Sequence, residues 1–149
     1  MPQRMASAHD AETRAQMAGP GVRAFFRITD AWQLTDPQRL ALLGHSIVRS
    51  TLLTWKEQPP RTLSVDQIQR LSYVLGIYEG LERVFRRAPD MALRWLQSAR
   101  AEHPFNGKSA LEYILDGGLL ELAAVRQYVD HVNGGPPSRE DYPAPAREA

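Results

Sequence analysis

The chain has 149 residues, 43% of them hydrophobic and 23% charged, a globular composition with material for one core or two small ones. Without cysteine it has neither disulfides nor thiolate metal sites, and its four histidines (His9, His45, His103 and His131) are too scattered to suggest a ligand set, so no metal and no cofactor is expected. The formal net charge is only +1, yet residues 1–87 carry 12 Lys or Arg against 8 acids and residues 88–149 carry 6 against 9, a division compatible with nucleic acid at one end and a different partner at the other.

The first twenty residues lack an apolar stretch of signal-peptide length, and no run of eighteen apolar residues follows, so a cytoplasmic chain with no membrane partner is expected. Residues 1–21 are polar and alanine-rich and close on Gly19-Pro20-Gly21; they read as a flexible N-terminal arm or a short helix. A helical segment from Val22 to Ala31 carries Phe25, Phe26 and Ile28 and is followed by Trp32 and Leu34. Thr35 or Asp36 then caps a helix with Pro37 in its first turn, and Gly44 stops it. After HSIV, the segment RSTLLTWKE forms another short helix that ends before Pro59-Pro60. Helix, glycine turn and a second helix ending in Trp is a helix-turn-helix pattern.

Ser64 and Gln67 make a capping box, with Leu63 and Ile68 at the positions of a hydrophobic staple. Ile68, Leu71, Leu75, Tyr78, Leu81 and Phe85 recur at helical spacing, and Gly76 is expected to divide this stretch into two helices. Ala88-Pro89-Asp90 reads as the boundary between halves. Three further helices are expected, at about 90–101, 109–116 and 119–133, the last with Leu122, Val125, Val129 and Val132 on one side. Residues 136–149, with Tyr142 as their one large apolar group, read as a flexible tail. No strand candidate appears, so the fold class is all-α.

Gly107-Lys108-Ser109 ends as a phosphate-binding loop ends. That loop needs a second glycine five positions earlier, where Glu102 stands, and a preceding buried strand, where the sequence has helical spacing at Met91, Trp95 and Leu96. A reciprocal capping box between Ser109 and Glu112 explains more residues: Asn106 and Gly107 supply the turn, Leu111, Ile114 and Leu115 the apolar stripe, and Gly117-Gly118 a left-handed ending. No Ser/His/Asp or Cys/His set and no carboxylate pair suggests catalysis, so no enzyme activity and no catalytic residue are expected.

Two stretches carry a family resemblance. LLGHSIVRSTLLTWKEQPPRTLSVDQIQRLSYVLGIYEGLERVF resembles the DNA-binding half, and RWLQSARAEHPFNGKSALEYILDGGLLELAAVRQYVDHVNGG the toxin-binding half, of the MbcA/ParS/Xre family of bacterial type II antitoxins. The second stretch carries Trp95, Phe105, G-K-S and A-V-R-x-Y. The chain departs from the family pattern at Ala110, where proline is frequent, and in a longer turn after Gly44. The resemblance implies a non-enzymatic homodimer that binds its own operator DNA and neutralises a RES-domain toxin that degrades NAD or uses it for ADP-ribosylation, within a larger hetero-oligomer.

On this reading residues 22–87 form a helix-turn-helix and dimerisation region and residues 88–135 a helical toxin-binding domain. Arg49, Ser50, Thr54 and Lys56 are the candidate DNA contacts, whereas Leu52, Leu53 and Trp55 read as core. Candidate toxin contacts are Trp95, Phe105, Asn106, Gly107, Lys108, Ser109 and Arg126, with Glu140, Asp141 and Tyr142 of the tail; Trp95 and Phe105 have an equally simple reading as core aromatics. The alternative function is a stand-alone helix-turn-helix regulator with a helical dimerisation domain.

Overall fold

Asp10 accepts a hydrogen bond from the Glu12 amide at 3.0 Å and starts a helix that then buries a face at Ala18, Val22, Phe25, Ile28 and Thr29. A computed structural model describes residues 10–86 and 88–134. Seven helices occupy them: α1 (Ala11–Ala31), α2 (Asp36–Leu42), α3 (Arg49–Glu57), α4 (Val65–Val84), α5 (Pro89–Gln97), α6 (Ala110–Asp116) and α7 (Leu119–Val132). Among the described residues there is no strand, only an isolated bridge between Ala99 and Ser109, and the fold is all-α as expected. No described helix is long and apolar enough to cross a membrane. The chain divides into two compact units between Leu75 and Gly76, inside α4; the break expected at Ala88-Pro89-Asp90 falls within the second unit, where Pro89 opens α5.

Two expected interruptions are absent. α1 runs through Gly19-Pro20-Gly21, so residues 11–21 belong to a 21-residue helix rather than to a flexible arm. Proline inside a helix costs about 3 kcal/mol, and this is offset by the buried face on either side of it and by Arg14, which donates from Nε to the Leu63 carbonyl at 2.9 Å. α4 is likewise continuous through Gly76. The glycine there answers a close approach: a Cβ would lie 1.9 Å from Nη1 of Arg126 on α7. The buried stripe of α4 also turns slightly from the expected one, with Val74 and Ile77 fully buried and Leu75, Tyr78 and Phe85 only half-buried.

In the first unit α2 packs on α3, and α3 on α1. In the second, α6 packs on both α5 and α7. Thr35 caps α2 in a capping box with Gln38, Ser64 and Gln67 exchange the same pair of bonds at 3.0 Å each, and Leu63 and Ile68 are both buried. Ser109 caps α6 in a third box with Glu112, both bonds 3.0 Å. The ending of α6 differs from expectation. Neither Gly117 nor Gly118 is left-handed; the Gly118 amide instead donates to Glu121 of the next helix at 2.7 Å.

Candidate functional site

The first unit presents α3 through a turn fixed at both ends. α2 closes with the Gly44 amide bonded to the Ala41 carbonyl at 2.9 Å and the His45 amide to the Leu40 carbonyl at 2.8 Å, a Schellman arrangement with Gly44 at φ +70°. Ser46 donates to the Leu43 carbonyl at 2.7 Å, and Gln67 of α4 donates from Nε2 to the Ser46 hydroxyl at 2.9 Å. Gln67 therefore caps its own helix with Oε1 and holds the turn with its amide nitrogen. The left-handed φ at Gly44 favours glycine, and the Arg70 guanidinium lies 2.6 Å from where a Cβ on Gly44 would be, so a side chain there would also displace Arg70.

Arg39 sets the angle between helices from beneath. It is 6% exposed and donates to Thr29 at 2.7 Å, to Asp36 at 3.0 Å and to Asp30, with its guanidinium over the Phe26 ring at 5.5 Å. Lys56 of α3 joins the same clasp through Asp36 at 3.1 Å. The Lys56 ammonium, and with it Arg39, outweighs burial and holds the Asp36 carboxyl below the ordinary carboxylate value.

The expected DNA contacts divide accordingly. Arg49, Ser50 and Thr54 lie on the exposed face of α3, with the Thr54 hydroxyl donating back to the Ser50 carbonyl at 3.1 Å. Lys56 is also exposed but sits at the flank, committed to Asp36. Leu52 and Trp55 are core as expected; Leu53 is not, being 41% exposed. Its position explains this: in a nine-residue helix that buries Leu52 and Trp55, the residue one step past Leu52 already points outward at 3.6 residues per turn.

The second unit presents the loop between α5 and α6. Its ends pair through the Arg100 amide to the Lys108 carbonyl (3.1 Å) and the Gly107 amide to the Arg100 carbonyl (2.7 Å). Asn106 and Gly107 make the tip at φ +52° and +96°. Phe105, 1% exposed, anchors the loop among Trp95, Tyr113 and Tyr128, with centroids 6.1, 5.6 and 5.2 Å away in edge-to-face contacts. Arg100 covers the Trp95 ring at 4.6 Å and donates to Glu102 at 2.9 Å, and the Tyr128 hydroxyl donates to the same carboxylate oxygen at 3.0 Å. Burial alone would raise the Glu102 carboxyl; bonds from its own amide, Arg100 and Tyr128 outweigh this and hold it below its ordinary value. Burial and that bond to Glu102 push the Tyr128 phenol up.

Of the expected toxin contacts, the loop brings Asn106, Gly107 and Lys108 together at the surface. Lys108 pairs with Asp116 at 3.1 Å, both side chains at least half exposed. Phe105 and Ser109 are buried, as anchor and helix cap, so neither side chain meets solvent, and Trp95 is half-buried. Arg126 bonds Asp130 at 3.0 Å and fills the space above Gly76. Glu140, Asp141 and Tyr142 lie outside the described residues. The sequence reading missed Glu102 and Tyr128 as the loop's polar lock, and the Arg39 clasp; a charged residue destined for burial is legible only once its partners are close in space.

Residues 11–76 match the family described as the antitoxin Xre-like helix-turn-helix domain, a span that ends one residue past the first compact unit. The chain is also 39% identical over 117 residues to a protein of Sinorhizobium fredii (strain NBRC 101917 / NGR234) named uncharacterized protein y4oB, covering 76% of this chain and 84% of that one. With α2, its turn and α3 in place within the matched span, residues 11–76 form a domain of the antitoxin Xre-like helix-turn-helix family, and the chain as a whole is a relative of that Sinorhizobium fredii protein.

Proposed function

We propose that the chain is the antitoxin of a type II toxin–antitoxin pair: a cytoplasmic homodimer that binds operator DNA through α3 and neutralises a RES-domain, NAD-using toxin through its second unit. It acts by occupancy, with no chemistry of its own. The observation that carries the reading is the antitoxin helix-turn-helix match over residues 11–76. The RES partner rests on the resemblance of residues 94–135 to the toxin-binding half of such antitoxins.

The proposed DNA contacts are Arg49, Ser50 and Thr54, with the start of α3 facing the backbone. α3 has no side-chain cap, so its first amides point outward beside Arg49, an arrangement suited to phosphate. The charge of Lys56 is already partly compensated by Asp36. Arg49→Ala should therefore reduce the slope of log affinity against log salt by about one, while Lys56→Ala changes it less.

The proposed toxin contacts are the exposed Asn106, Gly107 and Lys108, together with Arg126, with that turn and the tail residues Glu140, Asp141 and Tyr142 nearest the toxin's pocket. A pocket that takes a pyrophosphate tends to be basic, so acidic tail groups suit it, whereas Lys108 needs an acidic partner on the toxin. Co-expression with a candidate RES-domain protein, followed by co-purification and an NAD-consumption assay, tests the reading. Lys108→Glu should weaken the complex, and truncation after Gly135 should relieve inhibition in part while leaving the complex.

The family match stops at residue 76, which also suits a stand-alone regulator with a helical dimerisation domain. Failure of any RES-domain protein to co-purify, with operator binding intact, would select that reading.

A further inference from the structure

Leu53, 41% exposed, lies near the middle of the outer face of α3. With Arg49 one turn before it and Glu57 one turn after, it forms a single ridge of cation, apolar group and anion. Val48, immediately before the helix, is 64% exposed. An exposed leucine set between Arg49 and Glu57 on a helix presented by a helix-turn-helix suits a partner that offers hydrogen-bonding groups on either side of an apolar feature.

The DNA major groove has both. Guanine offers two acceptors to Arg, cytosine an amino donor to a carboxylate, and thymine the C5-methyl, the one apolar group on a base edge in that groove. We infer that Leu53, with Val48 at the helix entrance, contacts thymine methyl groups in the bound DNA and is a sequence-specificity residue of α3; this rests on the DNA-binding reading above. Successive members of the ridge are about 6 Å apart along the helix axis, against about 3.4 Å per base step. Leu53 therefore meets a thymine about two steps from the base facing Arg49. The order of side chains sets a register: apolar in the middle, with a guanine acceptor and a cytosine donor as the matching outer features.

The test uses the full chain and duplexes it selects from a random-sequence library. Each selected duplex is remade with deoxyuridine in place of one thymine at a time, which removes only the methyl group. The expected result is a loss of about fourfold in affinity at one thymine per α3 footprint, the worth of one buried methyl. Leu53→Ala should bind the thymine and uracil duplexes equally, whereas Arg49→Ala should bind both more weakly but keep their ratio. Leu53 is exposed, so an unchanged helical circular dichroism spectrum is expected of the variant, and Leu53→Gln serves as a second variant.

Equal affinity for thymine and uracil at every position in the unaltered protein overturns the inference while leaving DNA binding standing. A ratio that survives in both Leu53 variants overturns it too. If instead the Leu53 variants lose self-association in sedimentation and keep the ratio, the face belongs to a second copy of the chain. A library that yields no enriched sequence removes the DNA-binding reading and this inference together.

Discussion

The two units hold their candidate functional elements by opposite means. In the first, a buried charge does it: Arg39 gathers Thr29, Asp30 and Asp36, and Asp36 passes the connection on to Lys56 of α3. In the second, an aromatic side chain does it: Phe105 sits among Trp95, Tyr113 and Tyr128, and Glu102 locks the rim. A charge clasp is directional and answers to pH and salt; an aromatic anchor is governed by volume and answers to truncation. Orienting a helix on its neighbours calls for fixed angles, which the guanidinium fork supplies. Holding a loop closed calls for buried area, which a phenylalanine supplies.

The largest break in this contrast should come from Phe105→Ala. Removing a fully buried ring from a packed site costs about 3–5 kcal/mol. Chemical denaturation followed by circular dichroism should show the loss, and hydrogen exchange should show it concentrated after Gly76. Next, Arg39→Ala should cost about 2–3 kcal/mol, the scale of hydrogen bonds to charged groups, and should loosen α2 and α3 while leaving the loop between α5 and α6 protected. Equal loss of protection in both units for either variant would contradict the separation.

A smaller effect, about 1 kcal/mol, is expected for Ser109→Ala, which removes the cap of α6. Calorimetry with ATP should show no nucleotide binding before or after the change; binding that vanishes with Ser109 would restore the phosphate-loop reading. Smallest is the pH response of the clasp. Asp36 has a folded value below its ordinary one, so its contribution is fully present above the ordinary carboxylate range near pH 4 and is lost as pH falls through the folded value. Glu102 behaves the same way in the second unit. Asp36→Asn should therefore flatten the acid limb of stability for α1–α3, and Glu102→Gln that for the loop; measurement of unfolding midpoints between neutral pH and pH 3 checks both.

Local chemistry was legible in the letters. The capping boxes at Ser64-Gln67 and Ser109-Glu112, the bounds of α3 and the turn at Asn106-Gly107 each depend on residues within a few positions of one another, and each forms as read; the box between Thr35 and Gln38 was legible only as a cap. Gly44, Gly76 and Pro20 mark the limit of that legibility. A glycine can answer a turn or a close neighbour; Gly44 takes the left-handed turn, and at Gly76 the neighbour is Arg126, fifty residues away in sequence. Pro20 reads as a break until the face it interrupts is seen to be buried on both sides.

By itself, then, the sequence determined which segments are helical, where most of them start, and that no strand competes with them, because helix propensity, capping and the 3.6-residue stripe are local properties. Tertiary structure alone decided that α1 and α4 run unbroken, that Leu53 faces outward while Phe105 faces in, and that Arg39, Asp36 and Lys56 share one clasp. Each of these depends on what a side chain meets across space. Burial of apolar area and pairing of a desolvated charge are settled between residues far apart in the chain, and they outweigh the local preferences of a single proline or glycine.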